Sequence, residues 1–295
     1  MGKELCREFA AAREVFEEAE QVLGFPLSEL CFSGPEAELK LTQHAQPAIL
    51  TASIAALRAL EWVRPMMPLC VAGHSLGEYS ALVSVGALRF ADAVKIVHER
   101  GKLMQDAVPA GKGAMAAVVG LPAEAVKAIC REAAQGEILT LAGLNGAEQL
   151  VIAGARGAVL RAVALADERG AKKAAELSVS APFHCPLMLP AAEGLRKVLD
   201  GVAIHPYSTP VVTNVEAAVN LDPARVKSLL VEQVTRPVRW EESVRKMESL
   251  GCQQVLELGP GKVLTGLVKR ISRALKTYNL ETPKDLERLL VQPAA

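Results

Sequence analysis

Ser75 lies in Gly73-His74-Ser75-Leu76-Gly77, a G-x-S-x-G pentapeptide, and a serine in that setting can serve as a covalent nucleophile when a base is in reach. The flanking residues supply the context the motif needs. Residues 69–72 form a short apolar run bounded by Pro68 and Gly73 and read as a buried strand. Leu76, Tyr79, Ala81, Leu82 and Val83 then fall at helical spacing. Strand, tight turn and helix make a nucleophile elbow. In it, Gly73 and Gly77 remove Cβ atoms where strand and helix approach, so the turn can hold Ser75 strained and exposed. The helix N-terminus aims its free N–H groups and positive dipole end at Ser75 Oγ and at any oxyanion formed there.

A nucleophilic serine needs a base. His74 is adjacent, but neighbours along a strand point to opposite sides, so His74 is expected to face inward as a packed, hydrogen-bonded histidine. His184 is the better candidate, in the constrained stretch Ser180-Ala181-Pro182-Phe183-His184-Cys185-Pro186, since loops at strand ends carry the chemistry of doubly wound folds. His98 is expected on a solvent face, His205 in a loop and His44 just before a helix, and none of the three is assigned a role. No acidic residue near the expected chain end offers itself to orient the imidazole, and Gln233, Gln253 and Gln254 are available neutral partners. Arg100 interrupts the apolar stripe of a helix over 90–104, where an unpaired charge is costly and calls for an anion. That anion is either an internal carboxylate or the carboxylate of a substrate, for which a guanidinium fork is well shaped. Gly259-Pro260-Gly261-Lys262 lacks the spacing of a phosphate loop and reads as a turn that brings a helix close to the sheet. The helix after it, 263–275, is made basic by Lys262, Lys269, Arg270, Arg273 and Lys276, a solvated face or a dock for an acidic partner.

The elements that must position these groups follow from patterning. Apolar residues three and four apart predict a helix over 3–23, and a second helix carries Pro47 in its first turn after a polar approach over 42–46. From Gly111 the order becomes β-α-β-β-α-β: strand 114–119, helix 122–134, strands 138–142 and 149–153 around Asn145-Gly146, helix 158–169 and strand 174–179. That is the split pattern of a ferredoxin-like unit, entered through Gly111-Lys112-Gly113 and left through Ser180-Ala181-Pro182 as an inserted domain would be. Beyond it, helices over 187–199, 222–234 and 240–250 alternate with strands over 209–214 and 254–258. The fold class expected is α/β: a large domain, 1–110 and 181–295, with a mostly parallel sheet, and a small inserted domain, 111–180.

Bulk properties narrow the function. The 295 residues carry no net formal charge, which gives no electrostatic case for nucleic acid or a membrane surface. Six dispersed cysteines without a C-x-x-C pair fit a reducing compartment, and five dispersed histidines make a metal site unexpected. No apolar run is long enough to span a bilayer, and no signal peptide opens the sequence.

Five stretches together carry a resemblance: GHSLGEYSAL (73–82), QPAIL (46–50), ERGKLMQ (99–105), FHCPLM (183–188) and ELGPGKVLTGLVKR (257–270). They resemble the malonyl-CoA:acyl carrier protein transacylases of type II fatty acid synthesis, over residues 1 to about 273. The resemblance implies a hydrolase-like large domain with a ferredoxin-like insert. It implies Ser75 as nucleophile, His184 as base, Arg100 as clamp for the malonyl carboxylate, and Gln233 as the neutral group whose carbonyl orients His184. It further implies Leu76 N–H as oxyanion donor and Gln46 as a pocket residue, while Leu76 and Phe183 match the malonyl-selective pattern. The reaction implied moves a malonyl group from CoA to the phosphopantetheine thiol of acyl carrier protein, for fatty acid or polyketide synthesis, with no cofactor, in a cytoplasmic monomer. The sequence departs from the family twice. The family opens with a strand and a G-Q-G-S-Q loop that supplies a second oxyanion donor, and both are expected to be missing here, a loss of about 10²–10³ in rate for the donor alone. The family also has two asparagines in the turn where only Asn145 stands, which weakens the CoA-side contacts expected of it. A serine esterase and an inactive remnant that binds the carrier protein are the rival readings.

Overall fold

Residues 1–146 and 148–291 are described in a computed structural model of the chain, a mixed α/β fold. Ala147 and 292–295, which the expected domain bounds 111–180 and 181–295 include, lie outside the described residues. The first helix expected is two, α1 (Lys3–Glu8) and α2 (Ala10–Leu23), because Phe9 between them is extended at φ −117°, ψ 119°. The break lets both pieces bury an apolar face, Leu5 and Cys6 from α1 and Ala12, Val15, Phe16 and Ala19 from α2. Two short helices follow, α3 (Leu27–Ser33) and α4 (Glu36–Leu39).

α5 (Thr42–Val63) starts well before Pro47, which therefore lies inside the helix and not in its first turn. Proline cannot donate to the carbonyl four residues back, here that of Gln43. This carbonyl accepts instead from His98 Nδ1, 2.8 Å away on α7 (Phe90–Asp106). His98 is consequently half-buried against α5 and not on a solvent face, and His44 belongs to the first turn of α5. α5 and α7 also touch at Gly101, where a Cβ would come within 2.5 Å of Gln43 Cα. Between them in sequence, β1 (Val71–Ala72) and α6 (Gly77–Ser84) flank the elbow.

The stretch 113–176 runs β2 (Gly113–Val119), α8 (Ala123–Ala134), β3 (Leu139–Leu144), β4 (Gln149–Ala155), α9 (Arg156–Glu168), β5 (Lys173–Glu176). Its sheet has the order β3-β4-β2-β5 with every neighbour antiparallel. Both helices pack on it around Val118, Ile129, Ile152 and Val159, a buried cluster of its own.

The remaining elements are α10 (Leu189–Asp200), β6 (Val211–Val212), β7 (Val219–Asn220), α11 (Pro223–Thr235), α12 (Trp240–Ser249), β8 (Gln254–Leu258), α13 (Val263–Ile271), β9 (Lys276–Leu280) and α14 (Pro283–Val291). α11 starts as its sequence predicts, with Asp222 accepting from Ala224 N–H at 2.9 Å and Pro223 at the first position. The single mostly parallel sheet expected is instead two: β1-β6-β7, with β1 and β6 parallel and β7 antiparallel, and β8-β9, parallel. They are separate because no described strand bonds both β1 and β8. A cavity of about 960 Å³ lies there, bordered by Val71 and Ala72 of β1, Val255 and Leu256 of β8, Ile54 of α5 and Leu267 of α13. Just before the two strands, the thiols of Cys70 and Cys252 come within 3.5 Å of each other. α13 stops at Ile271 because Ser272 turns extended, so Arg273 and Lys276, expected on the basic helix, lie beyond it. Among the described residues, no helix is long and apolar enough to cross a membrane.

Candidate active site

The elbow forms where β1 runs into α6. Ser75 takes φ 51°, a left-handed conformation that costs a non-glycine residue about 1–3 kcal/mol unless its surroundings enforce it. Sterics explain one of the two glycines. A Cβ on Gly73 would sit 2.0 Å from the backbone carbonyl of Gly77, so strand and helix meet there with no room for a side chain. A Cβ on Gly77 would meet nothing within 4 Å, contrary to the expectation that both glycines relieve the same contact. The close approach is made by the backbone of Gly77 toward Gly73.

Ser75 Oγ is 2.8 Å from Nε2 of His184. The other ring nitrogen, Nδ1, is 2.8 Å from the backbone carbonyl of Gln233, which can only accept. Nδ1 therefore carries the proton and Nε2 presents its lone pair to the serine hydroxyl. His184 is itself left-handed, at φ 59°. Burial, with the charge of Arg100 next, pulls its pKa down to about 3, which keeps the imidazole neutral at physiological pH, with the Nε2 lone pair free. Gln253 and Gln254 are exposed at the start of β8 and take no part.

Arg100 reaches the same hydroxyl from α7. Its Nη2 donates to Ser75 Oγ at 3.0 Å and to Gln233 Oε1 at 2.9 Å, and Nη1 donates to Gln46 Oε1 at 2.6 Å. Its Nε is buried without a partner among the described residues, and the Tyr79 ring lies 5.5 Å from the guanidinium. The internal salt bridge entertained from sequence is not what holds it: every hydrogen-bond partner is a neutral oxygen.

Other expected site residues are placed as follows. Leu76, after the nucleophile, sits at the N-cap of α6 and is buried. Phe183 is half-buried beside His184 and packs against the core. Asn145 Oδ1 accepts from His74 Nε2 at 2.9 Å, and His74 is half-buried with its ring 5.6 Å from that of Trp240, a packed, hydrogen-bonded histidine as expected. The large cavity touches Gly73, His74, Leu76 and Gly77 but not Ser75, Arg100 or His184.

Two residues of the network went unnoticed in the sequence. Asn214, just past β6, accepts from Ser75 N–H through Oδ1 at 2.6 Å and donates from Nδ2 to the Gly73 carbonyl at 2.7 Å. Glu78, in the first turn of α6, accepts through Oε2 from Gln233 Nε2 at 2.7 Å and from Asn214 N–H at 3.1 Å. Burial raises its pKa to about 7, against those two bonds and the charge of Arg100. An acid three residues after the nucleophile, the one charged residue of α6, was the available signal for Glu78. Asn214 had only its place at a strand end.

Comparison with known proteins shows the family. The acyl transferase domain family matches residues 1–283 of the chain. A malonyl CoA-acyl carrier protein transacylase of Bacillus subtilis (strain 168) is 49% identical over 288 residues, 97% of this chain and 90% of that protein. The protein of that name from Escherichia coli (strain K12) is 43% identical, over 97% of this chain and 93% of its own length. Among solved structures, an acyl carrier protein S-malonyltransferase from Vibrio cholerae superposes with a TM-score of 0.96 at 44% identity, covering 98% of this chain and 94% of that one. A malonyl-transacylase solved in complex with a type II PKS acyl-carrier protein gives 0.96 at 43% identity, covering 98% of this chain and 94% of that one. Identity at this level along nearly the whole length places the chain in the acyl transferase family, among the malonyl CoA-acyl carrier protein transacylases.

Proposed function

We propose that the chain transfers a malonyl group from CoA to the phosphopantetheine thiol of an acyl carrier protein through a malonyl ester on Ser75. The observation that carries this reading is the meeting of a base and a guanidinium on one hydroxyl, His184 Nε2 at 2.8 Å and Arg100 Nη2 at 3.0 Å from Ser75 Oγ. His184 takes the serine proton as Oγ attacks the thioester carbonyl. The oxyanion forms at the N-terminus of α6, where Leu76 N–H is the donor assigned to it. Collapse expels CoA thiolate, which leaves with the proton from His184. The ester then waits with its carboxylate on Arg100, beside Gln46. In the second half-reaction His184 accepts the proton of the incoming thiol, the thiolate attacks the ester, and the proton returns to Ser75. A thiol of pKa near ~8.5 gives up its proton far more readily than water, which favours transfer over hydrolysis.

The finer architecture belongs to the same reading: 1–110 and 181–295 as a hydrolase-like large domain, and 111–180 as a ferredoxin-like insert. The separate buried cluster of the small unit and its strand order support it. The cysteines, dispersed and free, fit a reducing compartment, so the cytoplasm is the location assigned. Phe183 borders the acyl site beside the base. Asn145, whose carboxamide oxygen is taken up by His74, contributes to the CoA side through the remaining amide hydrogens.

Radiolabelled malonyl-CoA tests the reading directly. Label is expected on Ser75 and then on added carrier protein. Release of free malonate alone would favour an esterase, and absence of any label on the protein would favour a binding remnant.

A further inference from the structure

Gln233 stands between Arg100 and the elbow, and its side-chain amide can be placed two ways round. As observed, Oε1 faces Arg100 Nη2 at 2.9 Å, while Nε2 faces Glu78 Oε2 at 2.7 Å and the Ser75 carbonyl at 3.1 Å. Rotated by half a turn, the amide would set N–H against guanidinium N–H and oxygen against oxygen. Glu78 Oε2 accepts from both Gln233 Nε2 and Asn214 N–H, so a proton on this carboxyl belongs on Oε1 and Oε2 stays an acceptor, while a guanidinium only donates. With Glu78 on one side and Arg100 on the other, a single orientation satisfies both. Glu78 is buried and makes no hydrogen bond to Ser75 Oγ; its bonds go to Gln233 and to the backbone N–H of Asn214.

We propose that Glu78 is a positioning residue for substrate selection: by accepting from Gln233 Nε2 it holds Gln233 Oε1 on Arg100, and so aims the guanidinium at the carboxylate of the acyl group. The assignment rests on the acyl-transfer reading above. It predicts an effect on the choice between acyl groups, whereas a residue that merely supports the fold would lower transfer of all of them together.

The experiment compares malonyl-CoA and acetyl-CoA as donors, as the ratio of kcat/KM, in the parent and in Glu78→Ala, Glu78→Gln, Gln233→Met and Glu78→Ala/Gln233→Met. Glu78→Ala is expected to lower the malonyl:acetyl ratio about tenfold, chiefly through malonyl KM, in line with loss of one buried hydrogen bond. Glu78→Gln retains an acceptor oxygen and is expected to restore the ratio to within about threefold of the parent by the same argument. Gln233→Met should match Glu78→Ala, and the double variant should add nothing, because both act through one contact. Should Glu78→Ala fail to fold, Glu78→Met keeps the volume without the acceptor and carries the same expectation. An unchanged ratio in a folded acceptor-less variant, or additive losses in the double, overturns the assignment of Glu78 alone. A parent protein that takes no malonyl label on Ser75 overturns the acyl-transfer reading, and this assignment with it.

Discussion

Arg100 holds a full charge in a buried place where its hydrogen bonds all end on neutral oxygens, from Gln46, Gln233 and Ser75. Such a charge is costly until an anion joins it, and a malonyl ester on Ser75 brings one. Replacing Arg100 with alanine removes that pairing, which as a charge-assisted hydrogen bond is worth about 1.5–3 kcal/mol. Malonyl kcat/KM is then expected to fall about 10- to 150-fold, with acetyl transfer little altered. Rates with the two CoA esters read this out, and an unchanged preference would remove the clamp from the mechanism. Asn214 makes a second case at this scale. It pairs the Ser75 N–H and the Gly73 carbonyl, both at the strained turn. Asn214→Ala leaves buried backbone groups unpaired, at about 1–3 kcal/mol each. Urea unfolding should show the loss, and single-turnover acylation of Ser75 should slow with it.

At the scale of elements, strand β1 and helix α6 can meet only because Gly73 has no side chain. Its Cβ would fall 2.0 Å from Gly77 C and O, which are backbone and cannot swing aside. Gly73→Ala is expected to cost about 3 kcal/mol or more, the upper range of overpacking. Gly77→Ala, with open space around the new methyl, should change stability by about 1 kcal/mol or less, helped by the better helix propensity of alanine. Chemical denaturation of the pair distinguishes them; equal losses would mean that the contact is not what the turn depends on. The elbow was legible in sequence because its determinants are local: a short apolar run, a G-x-S-x-G turn and a helical stripe. The same holds for the β-α-β-β-α-β order of 113–176 and for the Asp222 cap of α11. What escaped depends on distant partners. α5 runs through Pro47 because His98, on another helix, takes up the Gln43 carbonyl. β9 lies past the end of the helix expected over 263–275, where the sequence predicts no element, and its strand is defined by pairing with β8. Gln233 was left level with Gln253 and Gln254 on residue type alone, and only the fold brings its backbone carbonyl to His184.

For the whole molecule, two buried groups of the site tie global stability to pH with opposite signs. The pKa of His184 drops from the ordinary 6.5 to about 3, through burial and then the charge of Arg100. The unfolded chain takes up a proton in that interval which the folded chain refuses, so stability is lost as pH falls from 6.5 toward 3. The pKa of Glu78 rises from 4.5 to about 7, mainly through burial. Here the folded chain keeps a proton which the unfolded chain has released, so stability is lost as pH rises from 4.5 through 7. Each slope reaches about 1.4 kcal/mol per pH unit, and between 4.5 and 6.5 they offset. Single substitutions should therefore uncover the slope that its opposite conceals. Relative to the parent, His184→Gln is expected to gain stability steadily as pH falls below 6.5, and Glu78→Gln to gain as pH rises above 4.5. Urea unfolding at closely spaced pH values gives both differences. His74 and His98, whose pKa values burial also lowers, titrate alike in parent and variant and drop out of the subtraction. Difference curves that stay flat, or that slope the same way for both variants, would mean that the two groups do not hold their protons as their burial requires.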